Sequence, residues 1–148
     1  MINIERIKDI REDHDLTQKE MAKILNIKRS TYSLWEIGIN IIPLEYLIKF
    51  SDYFNYSIDY VLGLSNNKNI IINKGFNKIE LGNNLRKIRI ENNLSQENIA
   101  NILGVSQPCI NKYEKGKIDI STSNLYKFSK EFNISMNELC NKNKIYQR

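Results

Sequence analysis

Apolar positions along this chain recur at spacings of three and four residues, the period of an amphipathic helix, and the whole succession of such runs occurs twice. Ile7 and Ile10, with Arg11 beside them, open the first run, and Leu85, Ile88 and Arg89 open its second appearance. In "DLTQKE", Thr17 stands three residues before Glu20. That spacing predicts a capping box and the start of a second helix that turns Met21, Ala22 and Leu25 inward. Ser95 starts the matching helix. A tight turn is expected at Asn26 and at Gly104, the residue types that best tolerate the left-handed conformation. Third helices follow over residues 28–36 and 106–114, then the loops "IGINIIP" and "KGKIDIS", then fourth helices in "LEYLIKFSDYF" and "SNLYKFSKEF". Short fifth helices are capped by Ser57 and Ser135, the latter with Glu138 as another capping box. No run alternates convincingly with period two, so the fold class is all-α.

"LGVSQPCINKYEKG", Leu103 to Gly116, aligns without a gap on "LNIKRSTYSLWEIG", Leu25 to Gly38, after a shift of 78 positions. The repeat divides the 148 residues into two domains, residues 1–65 and 79–148, with a linker at 66–78. A unit of roughly 60 residues buries only about 60% of its unfolded surface, enough for a compact helical core and too little for a deep substrate cavity. The linker's Ile70, Ile71 and Ile72 could pack as a short extended segment or pair with a second chain, and Gly75 follows them. Fully stretched, about 15 residues span roughly 50 Å, more than the ~34 Å between successive major grooves on one face of a duplex.

Charge changes the picture when it is divided. Residues 1–65 hold 8 Lys and Arg against 10 Asp and Glu, net −2; residues 66–80 hold 3 against 1, net +2; residues 81–148 hold 11 against 6, net +5. The basic half points to a polyanionic partner.

Two helices joined by a short turn containing Gly or Asn form a helix-turn-helix. In "LTQKEMAKILNIKRSTYSLWEIG" and "LSQENIANILGVSQPCINKYEKG" the chain resembles the lambda-repressor-like, xenobiotic-response-element-type helix-turn-helix family, twice and in register. "FNYSIDYVLGLS" and "FNISMNELC" resemble the family's closing helix. The resemblance implies two tandem five-helix domains, a sequence-specific double-stranded DNA-binding regulator, and repression of transcription.

A recognition helix sets short polar side chains at its N-terminal end against base edges, while neighbouring donors hold phosphates. In the second copy Ser106 is the N-cap, Gln107 has the geometry to pair with adenine, and Pro108 can lie against a thymine methyl. Asn111 and Lys112 share the outward face with Cys109, whereas Ile110 and Tyr113 point inward. The resemblance assigns Gln96 to phosphate, and Lys115, Lys117 and Arg86 supply cations. The first copy departs from this pattern. Lys28 stands at the cap, Leu34 faces out, and Ile37, Ile39, Ile41 and Ile42 fill the loop, of which two are expected to be buried. Arg29, Thr31 and Ser33 stay as candidate base readers and Gln18 keeps its place at the helix start. The isoleucines leave a second role open for this half: a protein-interaction module, antitoxin-like or a dimerising scaffold. A homodimer would form through this domain or the linker.

The remaining classes find little support. His14, between Asp13 and Asp15, reads as a solvated surface residue, and no phosphate loop, catalytic triad or metal-ligand spacing is present. Neither catalysis, metal, cofactor nor small-molecule ligand is expected. Cys109 and Cys140 fit no disulfide framework. No apolar run approaches the ~18 residues of a membrane span, and the N-terminus lacks a signal-peptide core, which together suggest a cytoplasmic protein.

Overall fold

The computed structural model describes residues 2–68 and 76–140, which are helical with no strand among the described residues. The chain divides into two compact units, Met1–Ile72 and Asn73–Arg148. The first holds α1 (Glu5–Asp13), α2 (Gln18–Ile24), α3 (Arg29–Glu36), α4 (Leu44–Phe54) and α5 (Ile58–Val61). The second holds α6 (Lys78–Glu91), α7 (Gln96–Leu103), α8 (Gln107–Glu114), α9 (Thr122–Phe132) and α10 (Met136–Cys140).

The helix starts follow from capping chemistry. Thr17 Oγ1 accepts from the Glu20 N–H at 3.1 Å while the Glu20 carboxylate accepts from the Thr17 N–H at 3.0 Å. The same reciprocal box opens α7, but Asn98 closes it, its N–H donating to Ser95 Oγ at 3.0 Å and its side-chain oxygen accepting from the Ser95 N–H at 2.8 Å. Ser57, Ser106, Ser121 and Ser135 each accept from the backbone N–H three residues on. Turns between helices use left-handed residues in matched pairs, Asp15 with Asn93, Asn26 with Gly104, Gly38 with Gly116 and Asn55 with Asn133. Each pair is separated by the 78 positions of the sequence repeat.

Each unit has its own core. Ile7, Ile10, Met21, Leu25, Tyr32, Trp35, Leu47 and Phe50 are buried in the first, and Leu85, Ile88, Ile99, Leu103, Ile110, Leu125 and Phe128 in the second. Burial of each such side chain contributes roughly 1.5–3 kcal/mol against the conformational entropy lost on folding. Gly82 lets α6 pass hard against the end of α8: a Cβ there would stand 2.4 Å from the Tyr113 carbonyl oxygen and 2.5 Å from that of Glu114.

The aliphatic loop differs from expectation. Ile42 is buried at 2% exposure, but Ile37, Ile39 and Ile41 are 63%, 67% and 45% exposed, so one isoleucine of the four enters the core where two were expected. The reason is local. The chain leaves α3 through Gly38 in the left-handed region, and backbone N–H groups of Ile39 and Asn40 fold back onto the Leu34 carbonyl, holding the loop over the helix end and away from the core.

Within the segment 66–78, both described ends are engaged. Ser57 Oγ donates to the Asn67 carbonyl at 3.1 Å, and Lys68 Nζ lies 5.7 and 5.6 Å from the Tyr56 and Tyr60 ring centres. Asn77 caps α6 through its side-chain oxygen. Ile70, Ile71, Ile72 and Gly75 lie outside the described residues. No helix among the described residues is long and apolar enough to cross a membrane.

Candidate nucleic-acid interface

In the second unit, capping by Ser106 and the fixed φ of Pro108 in the first turn set the start of α8. Gln107 and Pro108 are thereby exposed at its N-terminal end, with Asn111 half-buried one turn on and Lys112 exposed beside it. α7 begins with Gln96, whose side chain organises the site. Its oxygen accepts from Gln107 Nε2 at 2.6 Å and from Asn111 Nδ2 at 3.4 Å, and its nitrogen donates to Glu114 Oε1 at 3.1 Å. One glutamine therefore fixes two candidate readers.

Beneath it lies a buried ion pair. Arg89 Nε and Nη2 donate to the two oxygens of Glu114 at 2.6 and 3.0 Å, and Nη1 donates to the Leu94 carbonyl at 2.9 Å. Such a fork needs every polar atom matched, because desolvation of each ion costs several kcal/mol. Arg11 and Glu36 repeat the arrangement in the first unit at 2.7 and 2.9 Å, with Nη1 on the Leu16 carbonyl and Gln18 Nε2 on Glu36 at 3.2 Å. Burial pushes the Glu36 carboxyl up, but the hydrogen bonds from Arg11 and Gln18 help to outweigh it, and the group is held below the usual carboxylate range.

Around this pair the second unit opens a polar cleft of about 520 Å³, lined by Asn83, Arg86, Gln96, Asn111 and Lys115 among others. Lys117 is exposed in the following loop. The structure thus brings Gln96, Gln107 and Asn111 into one hydrogen-bonded cluster and sets Arg86 and Lys115 on the walls of the cleft beside it. Asn83 and the Arg89–Glu114 pair escaped sequence reasoning. Asn83 lies outside the repeated motif; the pair left a signal, since Arg and Glu recur at the same separation in both halves.

The first unit matches this frame only in part. Lys28, Arg29 and Thr31 are exposed at the start of α3, and Ser33 is half-buried, its Oγ donating to the Ser30 carbonyl at 3.0 Å. Gln18 is tied to Glu36, and the positions equivalent to Lys115 and Lys117 are Ile37 and Ile39. Two other side chains have structural work. His14 is exposed, as expected, and it also closes the end of α1: Nδ1 is 2.8 Å from the Ile10 carbonyl, and the ring centre is 4.6 Å from that of Phe54. Tyr113 has its hydroxyl pKa raised, first by burial and then by a hydrogen bond with Cys109. Among the described residues no cluster of His, Cys, Asp and Glu could hold a metal ion.

A pair of helices joined by a left-handed turn, the second showing polar side chains flanked by cations, defines a helix-turn-helix protein. The chain belongs to the lambda-repressor-like helix-turn-helix family: the family described as Helix-turn-helix matches it twice, at residues 7–61 and 85–139. The HTH-type transcriptional regulator ImmR of Bacillus subtilis (strain 168) is 34% identical over 77 residues, 49% of this chain and 61% of the relative. YqaE, an HTH-type transcriptional regulator of the same organism, is 38% identical over 65 residues, 43% of this chain and 56% of the relative. The matched regions are therefore 56–61% of these relatives' own lengths. Among solved structures, the restriction-modification controller protein C.AhdI from Aeromonas hydrophila matches with 30% identity and a TM-score of 0.39, covering 41% of this chain and 92% of that one.

Proposed function

We propose that this chain is a sequence-specific double-stranded DNA-binding transcriptional regulator that acts as a repressor and reads the major groove with α8. The observation that carries the reading is the Gln96–Gln107–Asn111 cluster, set beside Arg86 and Lys115, with Lys117 exposed in the following loop. Gln107 Nε2 gives one hydrogen to Gln96, which leaves its second hydrogen and its carbonyl oxygen for the N7 and N6 edge of adenine. Ser106 and Pro108 fix the helix end from which the glutamine projects, and Lys112 extends the same face. The regulators among its relatives support the same assignment, and no catalytic role is proposed.

The test starts from a randomised duplex pool, with the retained DNA sequenced. Gln107→Ala should cost about 1–3 kcal/mol and relax preference at one base pair, whereas Lys115→Ala should weaken all duplexes alike and lower the salt slope by ~1. A Gln107→Ala chain with unchanged affinity and an unchanged selected sequence would remove α8 as the reader.

A second reading applies to the first unit alone. Ile37, Ile39 and Ile41 are exposed together in one loop, with no charged residue between Glu36 and Glu45. Such a surface suits contact between chains through this unit, antitoxin-like or dimerising, alongside DNA binding by the second.

A further inference from the structure

The exposed loop of the first unit has a counterpart in the second, and the two carry different chemistry on one frame. Ile37, Ile39 and Ile41 stand where the second unit has Lys115, Lys117 and Asp119. Each loop leans on the start of its own unit's first helix: a Cβ on Gly38 would meet Ile4 Cδ1 at 2.5 Å, and one on Gly116 would meet Ile79 Cα at 2.7 Å. In the first unit the exposed isoleucines are flanked by Glu5 and Glu45, and no Lys or Arg lies between Arg29 and Lys49. Lys8, at the place of Arg86, is paired with Glu12 at 3.8 Å. In the second unit Ile79 and Ile118 are exposed. Ile79 lines the cleft with Arg86 and Lys115, and Ile118 follows Lys117, where Asp119 offsets one of the cations.

Both faces thus have an apolar centre, and their rims differ in sign. Charge then chooses among the three ways in which two copies could meet. First unit on first unit sets Glu5 and Glu45 against themselves, within residues 1–65 of net charge −2. Second unit on second unit sets Arg86, Lys115 and Lys117 against themselves, within residues 81–148 of net charge +5. First unit on second unit brings isoleucine to isoleucine and carboxylate rim to cationic rim. Like charges across an interface are penalised and opposite ones steer and align it, so only the third pairing is favoured at its centre and at its edge.

Resting on the second reading given above for the first unit, we infer that the Ile37, Ile39 and Ile41 loop is covered by the Ile79 and Ile118 face of a second copy of this chain. The pairing is heterologous, and reciprocated about a two-fold axis it closes a dimer and doubles the buried area. It also covers Arg86, Lys115 and Lys117, the cations proposed to meet phosphates. Self-association and duplex binding therefore exclude each other. The dimer is a store of chain that cannot hold DNA, and its share grows with the chain's own concentration.

Sedimentation of the intact chain, alone and with the duplex it selects from the pool, provides the test. The wild-type chain should form a dimer whose fraction rises with protein concentration, falls as salt screens the rims, and disappears when duplex is added. Ile39→Asp and Ile79→Asp should each sediment as monomers, because each breaks both contacts of the reciprocated pair. Mixed in equal amounts, they should dimerise again, more weakly than wild type, through the one contact that neither substitution touches. Lys117→Glu, on an exposed loop away from the core, should behave as Ile79→Asp does, alone and in the mixture. At concentrations where the wild-type chain is dimeric, Ile39→Asp should also bind duplex several-fold more tightly. If Ile79→Asp and Lys117→Glu dimerise as wild type does while Ile39→Asp stays monomeric, the loop meets another partner face, and the inference falls while the loop contact stands. Monomers in both mixtures, or dimers that persist in saturating duplex, likewise overturn it. A wild-type chain that is monomeric at every concentration overturns it together with the reading on which it rests.

Discussion

Glu36 shows how one buried carboxylate links sequence, stability and pH. Its two oxygens are taken by the Arg11 fork, and Gln18 adds a third donor. An unfolded glutamate titrates near 4.3, and the folded group lies lower, so the ionised form is favoured by folding. Its contribution is therefore complete above the unfolded value and declines as pH falls through the folded one. Urea unfolding followed by Trp35 should give a first-unit stability that this group leaves flat from pH 7 to pH 5 and erodes below about pH 4. Glu36→Gln should remove that erosion and cost about 3–5 kcal/mol at pH 7, because Arg11 is left buried without its counter-charge. At this scale the sequence was only partly legible. Arg11 and Arg89 could be placed on an inward helical period, but the partners lie 25 residues away and no local pattern names them. Exposure of Ile37, Ile39 and Ile41 was equally hidden, since hydropathy alone does not say which aliphatic side chains a loop turns away from the core.

Among the elements, those with strong local chemistry were the ones that could be read ahead. Thr17 and Glu20 announce α2, and Asn26 and Gly104 announce the turns, because capping and left-handed backbone each need particular residue types. α7 uses Asn98 where a glutamate was the expected sign, so its box went unread. The tight passage of α6 against the end of α8 was not legible either. Gly82 sits mid-helix, where glycine is ordinarily a cost, and its role emerges only from the Tyr113 and Glu114 carbonyls lying where a Cβ would go. Those atoms are backbone and cannot rotate away. Gly82→Ala should therefore destabilise the second unit by about 1–3 kcal/mol in spite of alanine's better helix propensity. Any shift of α6 that accommodates it should also disturb the cleft lined by Arg86, Asn111 and Lys115, and weaken duplex binding. Melting and binding measured on the same variant check both effects.

For the whole molecule, two units with separate cores allow separate surfaces to be tested separately. An aspartate at Ile39 would place a charge in any apolar contact formed there, and burying it unpaired costs several kcal/mol. If chains associate through the exposed loop, Ile39→Asp should shift the intact protein to a smaller species in analytical ultracentrifugation. Unchanged sedimentation would exclude the loop as that contact. Tandem architecture was the most legible level of all, because an ungapped repeat, matched capping residues and matched turns agree with one another.

The constant offset of the left-handed residues makes the recognition elements interchangeable parts. Residues 17–38 and 95–116 begin at equivalent caps and end at glycines with φ of +79° and +66°, so either cassette enters the other's frame without a change of loop length. Each also brings its own glutamine and its own half of the Arg–Glu pair. A graft of 95–116 into the first position would give the chain two copies of one candidate reader, and a random duplex pool offered to it should then yield a different selected sequence from that of the parent chain.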